Sequence, residues 1–177
     1  MYHPSEDTFL LIRGLERTSS LGVVLEIGVG SGKVAEVLGK RADMYIGCDI
    51  DLSTLIQIVH DAFPRTELVC CDSANCFINN HFDTVIFNPP YLPSEGIVDQ
   101  TVDGGRQGNE ILFKFLKSSF KLLKLYGSIF FISSSLANVQ EIKDFIKENE
   151  FDYEIIIKEH YIFEDIILFR CRKFILI

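Results

Sequence analysis

Val23-Val24-Leu25-Glu26-Ile27-Gly28-Val29-Gly30-Ser31-Gly32 runs from an apolar strand into three alternating glycines, and the helix-forming stretch Lys33 to Lys40 follows at once. Strand, tight turn and helix in that order let the backbone approach a ligand closely, with a helix amino terminus next to it. The spacing is Gly-x-Gly-x-Gly rather than the G-x-G-x-x-G dinucleotide pattern. Glu26 stands just before the turn, where it would repel a pyrophosphate. The turn therefore favours a ligand that carries positive charge and no phosphates. Working outward, the next apolar run, Met44-Tyr45-Ile46-Gly47-Cys48, ends in Asp49, about twenty residues past the glycines, where an acidic side chain accepts ribose hydroxyls. Leu68-Val69-Cys70-Cys71 ends in Asp72. One carboxylate at a strand end is ordinary, but three on successive strands would line one edge of a sheet.

A second motif lies beyond the fourth strand-like run, Asp83-Thr84-Val85-Ile86-Phe87, in Asn88-Pro89-Pro90-Tyr91. Two prolines remove two backbone donors and fix φ, so the carbonyl of Pro89 can point rigidly into a cleft beside the amide oxygen of Asn88. A planar –NH2 group could donate to both acceptors while lying against the ring of Tyr91. Taken alone, the tetrapeptide also reads as a Pro-rich turn ending a strand. The glycine motif upstream tips the balance.

Together these residues resemble the class I S-adenosylmethionine-dependent methyltransferases of the Asn-Pro-Pro-Tyr type. The opening Tyr2-His3-Pro4-Ser5-Glu6-Asp7-Thr8-Phe9-Leu10-Leu11 is similar to the signature of the HemK-like release-factor glutamine methyltransferases of eukaryotes and archaea. Gly104-Gly105-Arg106-x-Gly108 resembles the glycine-arginine element of the same branch. The resemblance implies a Rossmann-like α/β fold, with a seven-stranded, mostly parallel sheet, a C-terminal antiparallel hairpin and helices on both faces. It places Glu26 and Gly28 at the amino-acid portion of S-adenosylmethionine, Asp49 at its ribose, and Asp72 with Ser73 at its adenine, with Gly30 also in the cofactor site. Thr8 and Asn88 would touch the cofactor as well. Asn88, Pro89, Pro90 and Tyr91 would form the catalytic turn, Tyr91 packing on the substrate plane, while Gly105 and Arg106 shape a substrate loop. One departure is Val102-Asp103, where relatives tend to carry a tryptophan; this chain has none.

Composition agrees. The 177 residues suit one domain with a single substantial core, spanning 1–177 with a leading helix in residues 1–20. A net charge of −8 argues against a free-standing surface for duplex nucleic acid, which needs clustered Lys and Arg. The 5 cysteines, at 48, 70, 71, 76 and 171, lack CxxC spacing, so neither a zinc site nor a disulfide framework is indicated. Buried thiols in a reducing compartment are expected. Every apolar stretch is of strand length, so no membrane span is expected and the chain reads as cytoplasmic, with the nucleus as a second location.

The order of elements is an alternation of β-rich and helical stretches, the pattern of a twisted parallel sheet covered on both faces. Residues 5–18 read as a helix with Ser5 as N-cap. Strands are expected near 23–28, 44–49, 67–72 and 82–88, a loop at 92–104, helix near 107–124, strand near 128–134 and helix near 137–149. Two runs, Tyr153 to Lys158 and Ile166 to Arg172, read as the closing hairpin. His60 and His160 lack ligand partners at metal spacing, and Lys114, Lys117, Lys121 and Lys124 read as a solvated helix face.

An amide or exocyclic amine is a poor nucleophile because its lone pair is delocalised. Paired acceptors on its hydrogens would fix its plane and favour the charge that develops on nitrogen. The resemblance implies N5-methylation of the glutamine in the Gly-Gly-Gln motif of a class 1 translation release factor. Rivals are N6-adenine methylation of DNA or RNA, lysine methylation, and a non-catalytic binding subunit. No target-selecting domain is recognisable, so specificity is expected to come from loops or from a second protein. The strand at 67–71 would be the sheet edge in the family's strand order, a place where partner strands add. The family resemblance supplies a candidate for that role, a small zinc-binding activator.

Overall fold

The computed structural model describes residues 4–59, 65–91 and 108–174. Tyr2, His3, His60, the loop at 92–104 with Gly104, Gly105 and Arg106, and the first residue of the helix expected at 107–124 lie outside the described residues.

Thirteen segments follow one another: α1 (Glu6–Glu16), β1 (Val23–Ile27), α2 (Lys33–Leu38) with a 3-10 turn at Gly39–Arg41, β2 (Met44–Asp49), α3 (Leu52–Val59), β3 (Thr66–Cys70), β4 (Phe82–Phe87), α4 (Glu110–Leu122), β5 (Leu123–Ser134), α5 (Val139–Glu148), β6 (Phe151–His160) and β7 (Asp165–Lys173). The strands form one seven-stranded sheet in the order β3-β2-β1-β4-β5-β7-β6. Pairings from β3 through β5 are parallel, and β7 is antiparallel to both β5 and β6. This is the mostly parallel sheet with a closing hairpin that the alternation of elements predicts.

Because side chains alternate across a strand, each strand feeds two cores. On one face Leu25, Ile27, Val85, Phe87, Ile129, Phe131 and Phe169 join Leu112 and Leu116 of α4 and Ile142 and Ile146 of α5. On the other, Val24, Tyr45, Ile86, Phe130, Ile132 and Leu168 join Leu10, Leu11 and Leu15 of α1 and Val34, Ala35 and Leu38 of α2. Burial on both faces is why the central strands read as continuous apolar runs rather than alternating ones. Three rings stack across neighbouring strands, Phe87 on Phe131 at 5.5 Å and Phe131 on Phe169 at 5.0 Å between centroids.

The start of β5 and the capping of α1 differ from expectation. α4 passes straight into β5 at Leu123, five residues before the expected start of that strand, so no loop intervenes. The pairing of β4 with β5 jumps from Phe82↔Leu123 to Thr84↔Ser128, and Lys124, Leu125, Tyr126 and Gly127 bulge out of register between them. Leu125 and Tyr126 are exposed, and Lys124 and Gly127 flank them, which breaks the apolar pattern that marks a strand. At α1, Ser5 does hold the N-cap position but its side chain does not cap; Asp7 Oδ1 accepts the Thr8 amide at 2.6 Å instead. Among the thiols, only Cys48 and Cys171 are buried, while Cys70 and Cys76 are exposed, which corrects the expectation of buried cysteines.

Candidate functional site

The strand order reverses between β1 and β4, and ligands of open α/β sheets bind at such a point, outside the carboxyl ends of the strands. Register fixes what meets there. Ile27 pairs with Cys48 of β2 on one side and with Phe87 of β4 on the other. The glycine turn, Asp49 and Asn88 therefore leave the sheet at the same level, side by side. Gly28, Gly30 and Gly32 have φ of 78°, 53° and 74°, the left-handed region that L side chains avoid. At Gly30 a Cβ would meet nothing within 4 Å, so the turn is open on the cavity side.

The cavity has a volume of about 650 Å³, within the usual range for small-molecule sites. Thr8, Glu26, Gly28, Gly30, Asp49, Asp72, Ser73, Asn88, Pro89, Pro90 and Tyr91 all line it, so these expected cofactor and catalytic residues meet in one place, while Gly105 and Arg106 lie outside the described residues. Ile111, Lys114 and Phe115 of α4 close one side, and Glu164 and Ile166 of the hairpin another.

Glu26 is buried, 3% exposed, and accepts a hydrogen bond from the Tyr45 hydroxyl at 2.8 Å. Burial pushes its carboxyl up to about 8; the Tyr45 hydroxyl works against that shift and the neighbouring Asp49 adds to it. Asp49 spans two turns, Oδ2 accepting from the Gly30 amide at 3.1 Å and Oδ1 from the Asp51 amide at 3.0 Å. Asp51 in turn accepts from the Ser53 amide at 2.9 Å, capping α3. Asp72 forms an ion pair with Lys114 Nζ at 2.8 and 2.9 Å, which holds its carboxyl below the usual range. Ser73, at φ 55°, is buried beside it, and its carbonyl accepts from the Cys48 thiol at 3.0 Å.

Asn88 carries the clearest signal. Its Oδ1 is buried and has no hydrogen-bond partner among the described residues. Leaving such an acceptor unmade costs about 1–3 kcal/mol, so a buried orphan of this kind marks a place where a ligand donor completes the set. Tyr91 lines the same cavity, yet its ring also leans on the cluster around Leu10 and Leu11, and its hydroxyl donates to Asp7 Oδ2 at 3.3 Å.

Sequence reasoning missed four of these residues. Tyr45 and Phe115 carry only an apolar-strand and an apolar-helix signal, and Asp7 is one letter of the opening signature. Lys114 was grouped with a solvated lysine face. The structure corrects that grouping at two of its four positions: Lys114 pairs with Asp72, and Lys124 lies in β5 and pairs with Asp83 at 2.7 Å.

Comparison with known proteins agrees with this geometry. Residues 40–163 match the family model described as Eco57I restriction-modification methylase. The chain is 30% identical over 177 residues to a protein of Methanocaldococcus jannaschii designated a protein N5-glutamine methyltransferase, covering 95% of this chain and 89% of that one. It is 29% identical to Methyltransferase HEMK2 of Mus musculus over 174 residues, 80% of this chain and 75% of that one. Among solved structures, the E. cuniculi Mtq2-Trm112 complex, described as methylating the eRF1 translation termination factor, superposes with a TM-score of 0.81 at 24% identity, covering 97% of this chain and 98% of the matched one.

Seven strands in this order, a glycine turn with three carboxylates and the Asn-Pro-Pro-Tyr exit from β4 define a Rossmann-like class I methyltransferase that uses S-adenosylmethionine. The residues present fit that cofactor: the carboxyl groups and Asn88 Oδ1 would accept from its donor groups, and the open glycine turn leaves room for it. Within that class the chain belongs to the HemK-like protein N5-glutamine methyltransferases.

Proposed function

We propose that this chain is the catalytic subunit of an enzyme that N5-methylates the glutamine of the Gly-Gly-Gln motif in a class 1 translation release factor. The observation that carries the reading is the buried Oδ1 of Asn88, without a hydrogen-bond partner among the described residues, in a cavity lined also by Pro89, Glu26, Asp49 and Asp72. The names of the relatives, among them the eRF1 methyltransferase catalytic subunit mtq2 of Schizosaccharomyces pombe at 22% identity over 184 residues, point to the same substrate.

In this reading Glu26 holds the α-ammonium of the cofactor, Asp49 its ribose hydroxyls, and Asp72 with Ser73 its adenine; Thr8, Gly28 and Gly30 complete the wall. When bound, the cofactor supplies a sulfonium methyl that is already electrophilic. What remains for the protein is alignment and exclusion of water. Asn88 Oδ1 and the Pro89 carbonyl accept the two amide hydrogens of the glutamine, fixing the plane and favouring the charge that grows on nitrogen as it takes the methyl. As the nitrogen–carbon bond forms, the carbon–sulfur bond of the sulfonium would break and leave a neutral thioether, and the nitrogen would lose one of its two protons to water on product release. No strong general base is required.

The partner reading rests on the edge strand. β3 ends the sheet, and α3, which packs against it, exposes Leu52 at 56% and Ile56 at 55%. A small zinc-binding activator adding a strand to β3 and covering these side chains fits such an edge, and a Trm112 complex among the structural neighbours supports it. A translation factor as substrate would place the enzyme in the cytoplasm.

The test is transfer of labelled methyl to a purified release factor, with and without the activator, with a Gly-Gly-Arg release factor as control. Label that requires the glutamine supports the reading, and Asn88→Ala should abolish it while changing cofactor affinity less than about threefold, since a lost oriented acceptor costs about 10²–10³ in turnover. The match to a restriction-modification methylase family favours a second reading, an adenine amine in nucleic acid. Label appearing in nucleic acid and not in the release factor would select it.

A further inference from the structure

Asp7 is 2% exposed, and the described structure engages both of its carboxylate oxygens. Oδ1 accepts from the Thr8 amide at 2.6 Å, from Ser5 Oγ at 2.7 Å and from Thr8 Oγ1 at 3.3 Å. Oδ2 accepts from the Tyr91 hydroxyl at 3.3 Å, across 84 residues of sequence. One buried carboxylate thus ties the first turn of α1 to the far end of the Asn88-Pro89-Pro90-Tyr91 turn. Both ends of this tie line the cavity.

We propose that Asp7 is a positioning residue for methyl transfer: it holds Tyr91 by its hydroxyl, and Tyr91 so held sets the angle at which Asn88 and Pro89 present their acceptors to the substrate amide. The inference rests on the methyl-transfer reading above. Its mechanics come from the prolines. Pro89 and Pro90 lock φ at two consecutive residues, which leaves few soft dihedrals between Asn88 and Tyr91. Anchoring the far end of so stiff a segment orients its near end. One anchor is apolar, the Tyr91 ring against the cluster that includes Leu10 and Leu11, a contact with no preferred direction. The hydroxyl bond to Asp7 adds a directional restraint. Tyr91 then acts less as an independent stacking surface than as the bolt that aligns Asn88.

A substrate amide held by two acceptors is sensitive to such alignment, because a displacement of about 1 Å can cost about 100-fold in rate. A carboxylate that merely stapled the start of α1 would show a different pattern, lowering thermal stability while leaving turnover by the folded protein unchanged.

The experiment measures kcat, KM for the release factor, cofactor Kd and thermal midpoint, in the presence of the activator, for Tyr91→Phe, Asp7→Ala, the double variant and Asn88→Ala. Tyr91→Phe keeps the ring and its packing and removes only the hydroxyl. It is expected to lower kcat by about 10–100-fold while cofactor Kd moves less than about threefold. Asp7→Ala should lower kcat similarly in the wild-type background and add little to Tyr91→Phe, the non-additivity expected of two partners in one contact. Asp7→Asn, whose amide can still pair with the phenolic oxygen, should restore much of the loss. Unchanged kcat in Tyr91→Phe would overturn the proposal, as would an Asp7→Ala effect equal in both backgrounds. If Asp7→Ala fails to fold, Tyr91→Phe and Asp7→Asn still decide. Asn88→Ala separates the two levels: if it leaves turnover intact, the methyl-transfer reading itself fails, whereas loss in Asn88→Ala with none in Tyr91→Phe refutes the tie alone.

Discussion

The raised Glu26 carboxyl makes cofactor binding a proton-linked event with a definite shape. With its carboxyl pushed up to about 8, Glu26 is largely protonated in the free protein at neutral pH. The α-ammonium it is proposed to receive belongs to a free amino acid, whose neighbouring carboxylate keeps it charged above the ~7.7–8.0 of a chain terminus. The bound pair is a carboxylate and an ammonium, and it holds one proton between the two groups. Below pH 8 binding must therefore expel a proton from Glu26, and affinity should approach a tenfold fall per pH unit, or ~50-fold between pH 8, where half of Glu26 is already ionised, and pH 6. Above the ammonium's own pKa the free ligand loses its proton, and affinity should fall again with about the same slope. The expected profile is a bell whose top lies above pH 8. S-adenosylhomocysteine is the ligand of choice, because it has the same amino-acid end and no sulfonium to add a second cation. Calorimetry in buffers of different ionisation enthalpy counts the protons directly: about one released per site at pH 6 and about one taken up at pH 10. Glu26→Gln removes the low-pH limb and leaves the high-pH limb, which belongs to the ligand. A change under about threefold between pH 6 and pH 8, or the same low-pH limb in Glu26→Gln, would refute the reasoning, since ~50-fold is expected from linkage. The same shift has a consequence for folding with a fixed sign. The folded protein binds this proton more tightly than the unfolded chain, so its contribution to stability falls as pH rises from 4.5, the ordinary glutamate value, to about 8. Glu26→Gln should flatten that fall in the free protein.

Tyr45→Phe removes the hydroxyl that lowers the Glu26 carboxyl, so the acidic limb of the binding profile should move to higher pH; a limb that stays in place would mean the hydroxyl contributes nothing. Asp49→Ala removes the acceptor for the Gly30 and Asp51 amides as well as the proposed ribose contact, and calorimetry should find cofactor binding weakened by about 10–100-fold, from ~1.5–3 kcal/mol for bonds to a charged acceptor. Lys114→Ala breaks an ion pair whose side chains are 48% and 51% exposed, so its cost in stability should be under about 1 kcal/mol and the thermal midpoint should drop by less than ~4 °C, as read by scanning calorimetry.

Much of this site could be read from the sequence because it is made of strand ends. Val23 to Ile27 and Asp83 to Phe87 are apolar enough to be placed as strands, and the residues after them inherit their positions from that placement. Asp49 follows by the same logic. What stayed hidden depends on contacts between segments far apart in the chain. Nothing local to Asp7 announces that it meets Tyr91, and Tyr45 reads as one more apolar strand residue until its hydroxyl is found on Glu26. The carboxylate of Glu26 reads as an open partner for a cation, but burial makes it a group that holds its own proton at neutral pH. The early start of β5 was illegible for a different reason: Lys124, Tyr126 and Gly127 interrupt its apolar pattern where the strand bulges around Asp83.

The register of β1 against β4 ties chemistry to folding in one further way. Ile27 sits opposite Phe87, and from there the glycine turn and Asn88 leave the sheet together. A slip of one residue would carry Asn88 about 3.3 Å along the strand and turn its side chain to the opposite face. Such a slip would also turn Leu25, Ile27, Val85 and Phe87 away from the core they build. The apolar interior is therefore the gauge that measures out the active site. Substitutions deep in that interior, far from any ligand, belong among the determinants of turnover, and the loops around the cavity can diverge to suit new substrates without disturbing the spacing on which methyl transfer depends.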